Sequence, residues 1–278
     1  MHEIWGTEED LYYVDPDDQI YSQIGFVYGL APETLNENKL ILIPGKLSLK
    51  KIDTDEINEK LSFQKNSIPW KQCIVLDLKE IYGRDIFSQV NLLNLGLLSL
   101  RLLKPGSVYF GPIITYSEDK STSSMVNFDK RPSPSTFFNM MNLDNNEKEE
   151  LVKIVNGLNN LDPENTTHFR ISFTRFSRYF TNRNIEDKLI DMCIAFEALF
   201  LKGERKKRNY SMGTYLGKLC SNLIAETIED KKKISTLVQT CYYMRNKVVH
   251  GGELKENEIW ELLPQFENCF RQSIRKII

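Results

Sequence analysis

The chain is poor in the residues that build metal centres and disulfide frameworks. Its 278 residues hold three histidines and five cysteines. Cys73, Cys193, Cys220, Cys241 and Cys269 are scattered, odd in number and form no CxxC pair. That argues against a zinc cluster or disulfide scaffold and favours a reducing, cytoplasmic compartment. No metal and no cofactor is expected. Long apolar runs are missing as well. The longest, 92–103, is broken by Asn94 and Arg101 and falls short of the roughly 20 residues that span a bilayer. The opening Met1-His2-Glu3-Ile4 lacks the basic and apolar regions of a signal peptide. No membrane association is expected. Residues 1–145 contain no Gly-rich phosphate loop and only one histidine, His2, so no catalytic constellation is legible there.

Net charge is also small, −2, but it is unevenly spread. Residues 1–164 carry 16 Lys/Arg against 25 Asp/Glu, and residues 165–278 carry 20 against 13. The second part is therefore basic, which suits a polyanionic partner, although solvated helix faces alone would give the same excess.

Patterning divides the chain in the same way. The segments 21–28, 39–43, 72–78 and 108–116 are β-branched or aromatic runs bounded by turn residues and predict strands. The Leu-rich stretch 86–103, stopped by Lys104-Pro105-Gly106, predicts a helix. Together they predict an α+β domain over 1–145. Within 118–146, Ser121-Thr122-Ser123-Ser124 and Arg131-Pro132-Ser133-Pro134-Ser135 predict a connecting segment.

From 147 onward the periodicity is helical, predicting an all-α bundle over 147–278. Leu151, Ile154, Val155 and Leu158 form one stripe, ended by Asp162-Pro163. Phe169, Phe173, Phe176 and Phe180 form another, interleaved with Arg170, Arg175, Arg178 and Arg183. Two readings stand: a buried stripe with a basic outer face, or a surface on which bases stack. Further helices are expected at 184–201, 212–224, 231–249 and 257–278. Gly251-Gly252 supplies a C-terminal stop, and Pro264 either kinks the last helix or marks its start.

The chemistry concentrates at one helix end, in Tyr243-Met244-Arg245-Asn246-Lys247-Val248-Val249-His250-Gly251-Gly252. Imidazole titrates near neutral pH and can move protons. Guanidinium offers a fixed fork of donors matched to phosphate oxygens. On a regular helix, however, Arg245 and His250 are about 140° apart. They meet on one phosphate only if the last turn unwinds at Gly251-Gly252 or a second chain contributes. Read without a family, His250 caps carbonyls and Arg245 pairs with Glu197 or Glu253. Glu197 lies in the apolar helix 184–201, where it wants a partner unless it sits at an exposed edge. Arg205, Lys206, Lys207 and Arg208 form a basic loop that guides RNA, is simply solvated, or acts as a nuclear signal. Tyr242 and Tyr243 precede the motif; burial is expected of one of them.

The string resembles the R-x4-H signature of the HEPN superfamily. Ile194-Ala195-Phe196-Glu197-Ala198-Leu199-Phe200 and the Gly-Gly ending resemble its Apea-like branch, as does the more distant 98–106. The likeness covers about residues 165–278. It implies a HEPN helical bundle and a metal-independent endoribonuclease in which the RNA 2′-hydroxyl is the nucleophile. His250 would handle protons, Arg245 the phosphate, Asn246 its positioning and Glu197 the orientation of the basic pair. Lys247 and the 205–208 loop would bind RNA. Cleavage calls for both a base and an acid, yet the motif holds one histidine, so a homodimer with a composite site is expected. The resemblance implies a defence or toxin RNase, with the N-terminal domain receiving a regulatory ligand or partner. It also leaves open a binding or dimerisation module without turnover.

Overall fold

A computed structural model describes residues 20–35, 39–53, 55, 72–82, 86–106, 108–117, 123–126, 140–161, 166–182, 184–201 and 211–278. The chain forms two compact units, Met1–Asn159 and Asn160–Ile278.

The first unit is built on a six-stranded antiparallel sheet. Its strands are β1 (Ile20–Tyr28), β2 (Lys39–Ile43), β3 (Leu47–Asp53), β4 (Gln72–Tyr82), β5 (Tyr109–Ser117) and β6 (Ser123–Val126), in the order β2-β3-β4-β1-β5-β6. The register sets Val75 and Ile114 beside Phe26 and Ile24 of central β1, making an apolar layer on one face. Helix α1 (Ile86–Leu103) lies against β4 and β3. Gly96 makes the approach close: a Cβ there would stand 2.9 Å from the Leu76 methyls. Arg101 is buried, and its Nε–H donates to the Val108 carbonyl at 3.0 Å. Helix α2 (Asn145–Asn159) packs on α1 and β2. A reciprocal capping box, Asp144 with Glu147, opens α2, and Lys104 pairs with Glu147 at 2.6 Å.

Two expectations change here. Helix α2 shares the helical periodicity of the bundle but buries its stripe in the sheet unit, so the boundary falls after Asn159 rather than near 146. Strand β6 lies inside the expected connecting segment; its neighbours 118–122 and 127–139 are outside the described residues.

The second unit contains α3 (Thr166–Thr181), α4 (Ile185–Leu201), α5 (Met212–Ile224), α6 (Ile228–Val249) and α7 (Glu256–Ile277). Its centre is aromatic. Phe196 stacks on Phe266 at 4.3 Å, and Phe176 stacks on Phe270 at 4.7 Å. Phe169, Phe176 and Phe180 are buried, so the aromatic stripe of α3 is core rather than a stacking surface. Arg175 turns to Asp191 of α4 at 2.9 Å. Pro264 lies inside α7, about two turns past its first residue, and does not start it. Helices α5 and α6 approach closely at Gly213 and Gly217; a Cβ on Gly217 would stand 2.7 Å from the Ser235 carbonyl oxygen. No described helix is long and apolar enough to cross a membrane.

Candidate functional site

The sequence fixes both ends of α6. At its start, the Thr227 hydroxyl accepts from the Asp230 N–H at 3.1 Å, and Glu229 and Asp230 lie in the first turn, complementing the helix dipole. At its end, Gly251 takes φ +77. Its N–H reaches the Val248 carbonyl at 2.9 Å, and the Gly252 N–H reaches Lys247 at 2.8 Å. These are the two bonds of a Schellman motif. His250 is the C-cap, and its own N–H still reaches Asn246 at 3.1 Å. The last turn is thus wound. Unwinding at Gly251-Gly252, one of the two routes expected to bring Arg245 and His250 together, does not occur.

Around a wound helix the two side chains point about 140° apart. Arg245 falls on the inner side with buried Cys241, Tyr242 and Met244, and is itself half-buried. Its guanidinium sits 5.6 Å from the Tyr242 ring centre, and Nη1 donates to Asn246 Oδ1 at 3.0 Å. Its Nε is buried and has no hydrogen-bond partner among the described residues. His250 is on the outer side and exposed, as is Lys247. Asn246 lies between the two: it holds Arg245, and four residues before His250 it shares the imidazole's side of the helix.

Glu197 is near this pair but does not bind Arg245 directly. Its carboxylate accepts a hydrogen bond from the Tyr242 hydroxyl. Among the described residues no ion pair joins Arg245 to Glu197 or Glu253. Burial, then the bond to Glu197, pushes the Tyr242 hydroxyl well above the usual tyrosine range. Behind them Cys193 is fully buried, which raises its thiol, with Cys241 and Glu197 adding to the rise and Arg245 opposing it. The electrostatic unit is therefore Arg245, Tyr242 and Glu197, with Asn246 as the outward link.

Of the expected site residues, Arg245, Asn246 and Glu197 are gathered through Tyr242. His250 and Lys247 stand on the opposite side of the same helix. Arg205, Lys206, Lys207 and Arg208 lie outside the described residues. Tyr242 was legible only as one of two tyrosines flanking the motif; its signal was an acid on an apolar helix in need of a donor. No group of three or more metal-ligating side chains is assembled among the described residues. Compared with known proteins, the chain matches no family model, no curated protein and no solved structure.

Proposed function

We propose that the protein is a metal-independent endoribonuclease of the HEPN type, acting in the cytoplasm as a homodimer. The observation that supports this best is the end of α6. An exposed imidazole caps the helix, and one turn back Asn246 holds a half-buried guanidinium whose Nε has no acceptor. A buried cationic donor without a partner is costly, and the part of this half-buried guanidinium that solvent reaches is a charge-assisted donor fork suited to a phosphate oxygen.

In the proposed reaction the RNA 2′-oxygen attacks the adjacent phosphorus and its proton passes to the imidazole of His250. The bond from phosphorus to the 5′-oxygen breaks, a protonated imidazole supplies the proton to that oxygen, and a 2′,3′-cyclic phosphate remains. Arg245 stabilises the charge that builds on the phosphate. Asn246 holds the guanidinium, and Glu197 acts on it through Tyr242. The 140° divergence within one chain makes a second copy necessary: His250 of one protomer would meet Arg245 of its partner, with Lys247 on the path of the strand. The sheet unit then serves to receive a ligand or partner that controls cutting, as suits a defence or toxin RNase.

The same divergence favours a second reading, a module that binds RNA or a nucleotide without turnover. An RNase assay in EDTA separates the two. Cleavage by the wild type, lost in both His250→Ala and Arg245→Ala and partly restored when the two variants are mixed, is expected of the composite site. A wild type that cuts no RNA leaves the binding module.

A further inference from the structure

We infer that the outward face of α6 is a track for single-stranded RNA leading to His250. The inference rests on RNA being the partner, but not on cleavage.

Back along the helix from His250, this face presents Lys247, Tyr243, Thr236, Lys233 and Lys232, all of them exposed. The rows lie within about 100° of arc on a helix of ~3.6 residues per turn and run about 27 Å from Lys232 to His250. That is long enough for several nucleotides. Glu229, in the first turn, bounds the track on the side away from His250. The Thr227 and Asp230 side chains bond to each other at that end and leave the lysines free of them.

Two features select a single strand. Tyr243 is 69% exposed in the middle of a cationic row, and an exposed ring takes an unpaired base on its face, whereas paired bases are already stacked. The major groove of an A-form duplex is also too deep and narrow for side chains to read, and its bases are not free to stack on a ring. A protein partner fits less well, because a stable interface needs a dry apolar centre. Tyr243 stands alone in the middle of this face: the other large exposed apolar residues of α6, Ile228 and Val249, lie at its two ends, about 60° and 120° away around the helix, and make no continuous patch with it.

The test uses the full chain and a fluorescent 12-nucleotide 2′-O-methyl RNA, which binds without being cut. Tyr243→Ala is expected to weaken binding about 10-fold, within the range of stacking on one base. Tyr243→Phe is expected to stay within about 2-fold, since it keeps the ring. Lys232→Ala with Lys233→Ala is expected to flatten the salt dependence by about 1.4 in log–log slope, at ~0.7 per phosphate contact. The matching duplex is expected to bind more weakly than the strand. The track is overturned if Tyr243→Ala binds as wild type or if the duplex binds equally well. It is overturned too if light scattering shows that Tyr243→Ala splits a dimer, for then a second copy covers this face. Absence of cleavage with these binding effects intact removes the nuclease reading alone. Cleavage with unaltered binding by the Tyr243 and lysine variants removes the track alone.

Discussion

The Tyr242 hydroxyl of α6 donates a hydrogen bond to the Glu197 carboxylate of α4, one helix turn from the Arg245 guanidinium. The bond joins two helices and fixes the position of the acid. Tyr242→Phe keeps the ring and removes the donor. It is expected to cost about 1.5–3 kcal/mol in urea unfolding, the usual worth of a hydrogen bond to a charged group. The pH dependence follows from the sign of the shift. The folded state holds the tyrosine proton more tightly than the unfolded chain, whose value is near 10. Stability from this group is therefore complete below pH about 10 and falls as pH rises above it. Tyr242→Phe should remove that alkaline decline, and a wild-type profile that stays flat above pH 10 would count against the arrangement.

Gly251 carries the turn that ends α6. Its φ of +77 costs an L side chain about 1–2 kcal/mol, although no neighbour lies within 4 Å of a Cβ there. Gly251→Ala should therefore lower stability by about 1 kcal/mol, and Gly251→Asn by less, because Asn tolerates this region. The thermal midpoints should rank Gly above Asn above Ala. Equal midpoints for the three would mean that the Schellman turn does not hold the C-cap carrying His250.

A different glycine controls where α6 lies. At Gly217 a Cβ would meet a backbone oxygen of α6 at 2.7 Å, and backbone cannot swing aside as a flexible side chain can. Gly217→Ala should cost about 1–3 kcal/mol as α5 and α6 are forced apart. Asn222→Ala, at an exposed position of the same helix, should be neutral or slightly stabilising, since Ala is the better helix former. Urea unfolding of the two variants separates overpacking from helix propensity. A neutral Gly217→Ala would refute the close approach.

Much of this architecture was readable because its signals are local. Four of the six strands were β-branched or aromatic runs, and the helices of the second unit had apolar stripes with recognisable stops. Strand β3 was not read because Lys50-Lys51 interrupts the alternation that marks a half-buried strand. The place of α2 was unreadable for a different reason: an amphipathic stripe says that a face is buried, not against what. The site divides in the same way. Arg245, Asn246 and His250 are chemically conspicuous on one short stretch. The bond from Tyr242 to Glu197 spans 45 residues of sequence and exists only because α4 and α6 pack together.

The second unit also buries a charge pair away from the α6 end, and its cost can be measured. Glu267 accepts from Tyr179 at 2.8 Å and from the guanidinium of Arg271, which is completely buried. Burial pushes the Glu267 carboxyl up, opposed chiefly by Arg271. Arg271→Met removes the cation and leaves a buried carboxylate, which should cost about 3–5 kcal/mol near neutral pH. The triple variant Arg271→Met, Glu267→Leu, Tyr179→Phe removes the three hydrogen-bonded groups together, so neither buried charge is left without its counterpart, and should recover most of that loss. The pH dependence distinguishes charge from shape. With the folded carboxyl raised above its unfolded value, the contribution of Glu267 to stability is present at low pH and is lost as pH rises through the folded value. Without Arg271 that rise is larger, so Arg271→Met should regain stability relative to wild type as pH falls from 8 to 5. A deficit that stays constant over this range would mean that the loss comes from a cavity and not from the unpaired carboxylate.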